Sequence, residues 1–93
     1  MRYRISANDN VSLPNSLLTL WRAELVPSSA VRVYLCLRRL SLLSEHPELP
    51  EPMSMRQLAA YCGVAPKTLK HALQILQDRR YIEIDKGWVV VKE

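Results

Sequence analysis

SMRQLAAYCGVAPKTLKHALQ, residues 54–74, is the stretch of the sequence that decides the fold. It predicts two short helices joined by a tight turn, because Gly63 ends the first apolar pattern and accepts positive φ without steric cost. Pro66 stands where a helix tolerates the missing N–H of its first residue. The second helix has one apolar face, at i, i+3, i+4 and i+7 spacing, formed by Leu69, Ala72, Leu73 and Leu76.

The opposite face of this second helix is polar and basic, and it holds Lys67, Lys70, His71 and Gln74. An apolar back with a front of cations and amides suits insertion into the DNA major groove. We expect base contacts from Lys70 to guanine, from Gln74 to adenine, and from His71. Phosphate contacts are expected nearer the two helix starts, from Arg56, Gln57, Lys67 and Thr68.

The stretch resembles the helix-turn-helix motif of bacterial DNA-binding proteins. Four residues fit that motif without insertion or deletion: Ala59 where the helices cross, Gly63 in the turn, and Leu69 and Ala72 on the packed side. One position departs from it, because the residue before Pro66 is often Ser or Thr in such motifs. Here it is Ala65, whose side chain cannot cap the helix.

A β-hairpin is predicted after the second helix, which we expect to run to about Arg80. Residues 81–84 alternate, Asp85-Lys86-Gly87 turns, and residues 88–91 return. The order of helix, helix-turn-helix and hairpin resembles the winged-helix family over residues 28–91. That resemblance implies that the second motif helix enters the major groove. It also implies that the wing tip, with Lys86, touches the DNA backbone or the minor groove.

The N-terminal part predicts a strand and a helix added to that fold. Residues 1–6 alternate as a short strand, with a partly ordered arm as the alternative. Residues 8–10 predict a turn and residues 11–13 a second extended piece. Residues 14–25 predict a helix whose apolar face includes Leu25 and, as a core residue, Trp21. Through VSLPNSLLTLW this part is loosely similar to the N-terminal domain of the DnaD primosome proteins and to plasmid replication initiators, which implies a role in oligomerisation.

A longer helix follows, capped by Ser28 or Ser29 and running to about Ser44. It is apolar on more than one side, through residues that include Tyr34 and Leu35, so we predict that it is the central helix. Its cations are interpreted as solvated surface, and these are Arg32, Arg38 and Arg39. Residues 45–53, EHPELPEPM, contain three of the six prolines and predict an acidic loop.

Length and composition indicate one domain of residues 1–93, with 1–26 as an N-terminal extension, 54–80 as the helix-turn-helix and 81–92 as the wing. The fold class is mainly α with a small β-hairpin. The sequence has neither an apolar run of about 18 residues nor an apolar signal-peptide core, so we expect a cytoplasmic location and no membrane.

The net charge of +4 is mild, but its distribution is informative. Residues 54–80 contain only one acidic residue, Asp78. They contain five basic residues, which are Arg56, Lys67, Lys70, Arg79 and Arg80. Basic charge therefore gathers around the predicted groove-binding helix, as expected for a nucleic-acid partner.

Catalysis and metal binding have no support in the sequence. It has no Gly-rich phosphate loop, nucleophile elbow or paired carboxylates, so we expect no enzymatic activity and no cofactor. Cys36 and Cys62 are interpreted as small buried hydrophobes. A redox-sensing thiol is the alternative, but nothing in the sequence places a second thiol or a base beside either one. A metal site from Cys36, His46, Cys62 and His71 lacks the usual ligand spacings.

The sequence therefore predicts a sequence-specific DNA-binding protein, a transcriptional regulator or a replication-initiation factor, with residues 66–80 in the major groove. The alternative is a winged helix that serves protein–protein contacts or oligomerisation, because this fold hosts several functions. The cationic front of the helix favours DNA. Expected partners are double-stranded DNA, a second copy in a homodimer, and other proteins of a replication or transcription complex.

Overall fold

The computed structural model describes residues 2–7, 14–43 and 52–91 of the chain. Its elements are β1 Arg2–Ala7, α1 Asn15–Arg22, α2 Ser28–Leu43, β2 Met53–Ser54, α3 Met55–Cys62, α4 Pro66–Asp78, β3 Ile82–Asp85 and β4 Trp88–Val91. This mostly helical arrangement with a small sheet confirms the predicted winged helix-turn-helix fold. The predicted turn at residues 8–10, the extended piece at 11–13 and residues 45–51 of the acidic loop lie outside the described residues.

The strands form one sheet in the order β2-β1-β4-β3. β1 runs parallel to β4 and antiparallel to β2, while β3 and β4 form the antiparallel hairpin that we call the wing. Ile5 pairs in register with Val89 and is buried, so the N-terminal strand is part of the core. Residue 53 was expected in the acidic loop, which is wrong: Met53 belongs to β2, because it pairs with Tyr3.

The helix α2 lies at the centre of the fold, as predicted. It packs against α1, α3, α4, β1 and β4. Val33 and Leu37 are fully buried, and each buried aliphatic side chain of this size stabilises the fold by about 1.5–3 kcal/mol. Leu35 is instead 48% exposed, so its assignment to the packed surface is wrong. It lies on the outward side of α2 with Arg32 and Arg39, which are exposed as expected.

The prediction that Arg38 lies on the solvated surface is also wrong, because only 3% of this residue is exposed. Its Nε donates a hydrogen bond to the Tyr34 hydroxyl over 3.1 Å, and its guanidinium carbon lies 5.5 Å from the centre of the Tyr34 ring. The i, i+4 spacing brings the two side chains together, and the aromatic face stabilises the buried cation. Tyr34 meets Tyr81 edge to face, and Tyr81 shares a 2.8 Å hydrogen bond with Ser16.

The first helix buries less of its apolar face than predicted. Trp21 is 42% exposed and Leu25 is 61% exposed, so neither is a core residue. The reason is that α1 ends early, and Glu24 turns the chain at φ 60, which takes Leu25 off the helical face. The Trp21 indole N–H donates to the Ser28 hydroxyl over 3.0 Å, while Val26 occupies the core.

Candidate nucleic-acid interface

The turn between α3 and α4 depends on Gly63. This residue has φ 71 and ψ 31, and its N–H donates to the carbonyl oxygen of Ala60 over 3.2 Å. A Cβ atom added there would meet nothing within 4 Å, so the left-handed backbone, and not a lack of space, favours glycine. Val64 then donates to the Ala59 carbonyl over 3.1 Å, and α4 begins three residues after the turn glycine, at Pro66.

A capping box holds the start of α3. The N–H of Gln57 donates to Ser54 Oγ over 3.1 Å, and the N–H of Ser54 donates to Gln57 Oε1 over 2.8 Å. Such caps are worth about 0.5–2 kcal/mol. Gln57 was predicted as a phosphate contact, and its Oε1 is committed to the cap. Any phosphate contact from Gln57 would therefore use the amide NH₂ group, which donates. The S-x-x-Q spacing would have predicted this cap from the sequence.

The N-terminus of α4 has no side-chain cap, as predicted from Ala65. The first amide in the helical hydrogen-bond pattern is that of Leu69, which donates to the Ala65 carbonyl over 2.9 Å. The amides of Lys67 and Thr68 precede it. Amides at this position of a helix point away from the helix body and attract phosphate. Lys67 is exposed and Thr68 is half-buried.

The helix α4 ends at Asp78, earlier than the expected end near Arg80. Arg80 adopts a left-handed conformation with φ 64, and the Tyr81 N–H donates to the Leu76 carbonyl over 2.9 Å. This is the pattern that closes many helix C-termini, usually with glycine in the left-handed position. Arg79 and Arg80 are both exposed.

The two sides of α4 separate as predicted. Four residues are buried, and these are Leu69, Ala72, Leu73 and Leu76. The structure brings the predicted DNA contacts together on the exposed side of the same helix, which carries Lys67, Lys70, His71 and Gln74. Arg56 and Gln57 are exposed in the first turn of α3.

One hydrogen bond on this exposed side was not predicted from the sequence. Gln74 Nε2 donates a hydrogen bond to Asp78 Oδ1 over 2.9 Å, one helical turn further on. Because a carboxylate only accepts, the bond orients the amide with its nitrogen toward Asp78. Gln74 keeps its carbonyl oxygen and the second N–H of Nε2 available to a partner. The i, i+4 spacing of Gln and Asp was the signal that could have predicted this pair.

The turn of the wing is tight and exposes Lys86. Lys86 has φ 49 and Gly87 has φ 84, which are the two successive positive values of the favoured hairpin turn. The carbonyl oxygen of Gly87 accepts a 2.7 Å hydrogen bond from the N–H of Arg4, so β1 supports the tip. Asp85 is exposed beside Lys86 and reduces the local positive charge.

Cys62, the last residue of α3, is buried as predicted, whereas Cys36 of α2 is only partly buried. Nothing in the sequence placed the two cysteines together, but the packing of α3 against α2 brings Cys36 near Cys62. Burial, and then the neighbouring Cys36, raise the pKa of the Cys62 thiol to about 12. Cys62 is therefore protonated at neutral pH. Both cysteines are free thiols.

Metal sites and membrane-spanning helices are both absent from residues 2–7, 14–43 and 52–91. No cluster of three or more His, Cys, Asp or Glu side chains there is arranged to hold a metal ion. In the same residues no helix has the length and apolar character to cross a membrane.

Comparison with known proteins identifies the family of this site. The family model of the Crp-like helix-turn-helix domain matches residues 31–93, well over half of the chain. No curated protein and no solved structure gives a significant match. The matched residues include α3, α4 and the wing, and leave β1 and α1 outside, so this match does not bear on the DnaD resemblance of the N-terminal part. The match supports DNA binding through the α3–turn–α4 unit, and this chain belongs to the family of Crp-like helix-turn-helix domains.

Proposed function

We propose that this chain is a sequence-specific DNA-binding protein that inserts α4 into the major groove. The observation that carries the proposal is the exposed side of α4, where Lys67, Lys70, His71 and Gln74 lie on the second helix of a helix-turn-helix. In this proposal the protein binds DNA and catalyses no reaction, so the function requires no enzymatic activity, cofactor or metal. Its role is that of a transcriptional regulator or, in line with the loose DnaD resemblance, a replication-initiation factor.

The roles of the side chains divide by their position. Lys70, His71 and Gln74 read base edges, because they lie in the middle of the exposed side of α4. The residues at the helix starts bind phosphate, and these are Arg56, Gln57, Lys67 and Thr68. Lys86 at the wing tip adds a cation for the backbone or the minor groove. Arg79 and Arg80, at the end of α4, can supplement the phosphate contacts.

The orientation of the Gln74 amide refines its specificity. With Nε2 held by Asp78, Oε1 accepts a hydrogen bond from the base, and the major-groove donors are adenine N6 and cytosine N4. On a helix surface such a pair contributes only about 0.2–0.5 kcal/mol. The bond strengthens where the duplex excludes water from the helix. The second N–H of Nε2 stays free to donate, so Gln74 can form the two-bond pattern with adenine N6 and N7, and we expect adenine opposite Gln74.

The organisation of the whole chain is also a proposal. We infer a single domain of residues 1–93 that acts in the cytoplasm, away from membranes, with residues 1–26 as an extension of the winged helix. In this arrangement the extension supports the wing through β1 and leaves α1 at the surface.

We further propose that the protein acts as a homodimer, which would place two copies of α4 on a two-fold symmetric DNA site. Support comes from the exposed Trp21 and Leu25, which are large apolar residues outside the helix-turn-helix. The same residues favour the second candidate function, a winged helix that binds other proteins of a replication or transcription complex. Sedimentation at high micromolar concentration distinguishes a dimer from a monomer, and a monomer would contradict the dimer.

The DNA proposal is tested by fluorescence anisotropy with a random-sequence duplex at about 50 and about 200 mM salt. We expect affinity to fall steeply with salt, and Lys67→Ala to lower the slope of log K against log salt by about one unit. Arg32→Ala is the matched control, because it removes one exposed cation from the outward side of α2 and should leave the slope unchanged. Absent or salt-independent binding would contradict DNA recognition and favour the protein-binding function.

A further inference from the structure

The outward side of α2 carries a narrow stripe of exposed residues. They recur at spacings of four, three and four along the helix, and they are Ser28, Arg32, Leu35 and Arg39. Such spacing lets one helix present a continuous seam to another. Ser28 is already engaged, because its hydroxyl accepts the Trp21 indole N–H over 3.0 Å. The accessible part is therefore formed by Arg32, Leu35 and Arg39, which we call the α2 stripe.

The α2 stripe is positively charged at both ends and apolar in its centre. The helix α2 contains no aspartate or glutamate, and neither Arg32 nor Arg39 forms a side-chain hydrogen bond or an ion pair with another described residue. Leu35 lies between them and is 48% exposed. The aliphatic stems of the two arginines extend this apolar surface along the helix. Such a surface is complementary to an acidic partner that also carries an apolar side chain.

We propose that the α2 stripe is a docking surface for an acidic helix of a partner protein. Two carboxylates of that helix pair with Arg32 and Arg39, and an apolar side chain between them packs against Leu35. The two arginines are seven residues apart, which is about 10.5 Å along a helix. A second helix matches this span when its acidic residues are also seven apart. The inference rests on the proposed function, because it gives a chemistry to the partner in the second candidate function.

A second copy of this chain does not fit the α2 stripe. Two-fold contact centred on Leu35 would place Arg32 of each copy against Arg39 of the other, and like charges across an interface are repulsive. Duplex DNA also fits less well than an acidic helix, because its phosphates offer charge to the arginines but no apolar side chain to Leu35.

The position of the α2 stripe leaves the DNA-binding helix accessible. The helix α4 packs against the buried side of α2, and its own buried residues face that contact. The α2 stripe and the exposed side of α4 therefore point in different directions. A partner helix on the α2 stripe and a DNA duplex on α4 can be bound at the same time.

The first test measures docking without DNA, by fluorescence anisotropy of a labelled peptide. The peptide has three repeats of Glu-Ala-Ala-Leu-Ala-Ala-Glu, which present the required acidic and apolar spacing in either orientation along α2. We expect saturable binding to the intact protein, and a loss of about two- to fivefold in affinity for Arg32→Ala or Arg39→Ala alone. Reversal of both charges, by Arg32→Glu with Arg39→Glu, should weaken binding at least about tenfold. That variant should instead prefer the same peptide with lysine in place of glutamate.

The matched control for this test is Lys67→Ala, which removes one exposed cation from α4 and should bind the acidic peptide as the wild type does. Leu35→Ser should weaken binding about threefold, because it removes the apolar centre of the α2 stripe. Circular dichroism checks that each variant is folded, and the single variants decide the result if the double variant is not. Absent binding, equal affinity of the wild type and the arginine variants, or an equal loss in Lys67→Ala would overturn the proposal.

The second test adds DNA and separates this proposal from the proposed function. The protein is first saturated with duplex, and the acidic peptide is then titrated. We expect the peptide to bind the complex with the affinity that it has for the free protein. Competition between peptide and duplex would overturn the proposal, because it would place the peptide on α4. If the protein binds no DNA at all, the proposed function fails, while the first test still decides whether the α2 stripe binds an acidic helix.

Discussion

The backbone N–H of Arg4 donates a 2.7 Å hydrogen bond to the carbonyl oxygen of Gly87, and this bond joins the N-terminal strand to the turn of the wing. It continues a parallel ladder in which Arg4 is opposite Trp88 and Ala7 is opposite Val91. The Crp-like match begins at residue 31, so a strand outside the matched residues completes the sheet that carries the wing. The position of Lys86 therefore depends on the N-terminal segment.

Ile5→Ala should destabilise the protein by about 2–5 kcal/mol, because it leaves a cavity between β1 and the rest of the core. Leu35→Ala is the matched control, since Leu35 is 48% exposed and its truncation should change the free energy of unfolding by less than about 0.5 kcal/mol. Urea unfolding followed by circular dichroism measures both values. Similar values for the two variants would mean that β1 does not contribute to the core.

Lys86→Asn should weaken binding to all duplexes equally and lower the salt slope by about one unit, because it removes one cation from the wing tip. Asparagine is chosen because it tolerates the positive φ of 49 at this position, so the turn is preserved. Lys86→Arg keeps the charge and should retain the slope. Anisotropy titrations at several salt concentrations give these slopes, and an unchanged slope for Lys86→Asn would place the wing away from DNA.

Gln74→Ala should cost about 1–3 kcal/mol on the preferred site and relax the preference at one base pair. Asp78→Ala should alter the preference at that same base pair, because the Gln74 amide is no longer held by Nε2 and can present either its donor or its acceptor. Gln77→Ala is the control, since Gln77 is an exposed glutamine of the same helix for which no such bond is found. Selection of sites from a random pool compares the four proteins, and identical preferred sites would show that Gln74 reads no base.

The reduced protein should lose stability as the pH rises above about 9, through the Cys62 thiol. Burial raises the pKa of this thiol from 9.0 to about 12, so the folded state keeps a proton that the unfolded state releases. The resulting stabilisation is complete below pH 9.0 and is lost as the pH rises toward 12, by up to about 1.4 kcal/mol per pH unit.

Urea unfolding in the presence of a reductant, at about pH 8, 9 and 10, checks this dependence. Cys62→Ala lacks the thiol, so its free energy of unfolding should fall less steeply with pH than that of the wild type. The two proteins share every other titratable side chain, so the difference between them isolates Cys62. Parallel curves would contradict the assigned pKa.

Local spacing within the sequence determined the parts of the fold and site that depend on neighbours along the chain. Gly63 and Pro66 predicted the turn and the start of α4, and the 3.6-residue period separated buried Leu69 from exposed Lys70. The hairpin turn at Lys86-Gly87 was likewise predicted, although Asp85 belongs to β3 and not to the turn. These features follow from backbone conformation and helical periodicity, which a short stretch of residues specifies by itself.

Tertiary structure decided every feature that joins distant residues. Periodicity could not show that Cys36 lies near Cys62, because their proximity depends on how α3 packs against α2. The sequence predicts Arg38 at the surface, since a cation is normally solvated, but the Tyr34 ring and hydroxyl provide a partner for it in the core. The spacing of α1 predicts Trp21 in the core, but a helix face becomes buried only where another element covers it, and none covers this end of α1 among the described residues.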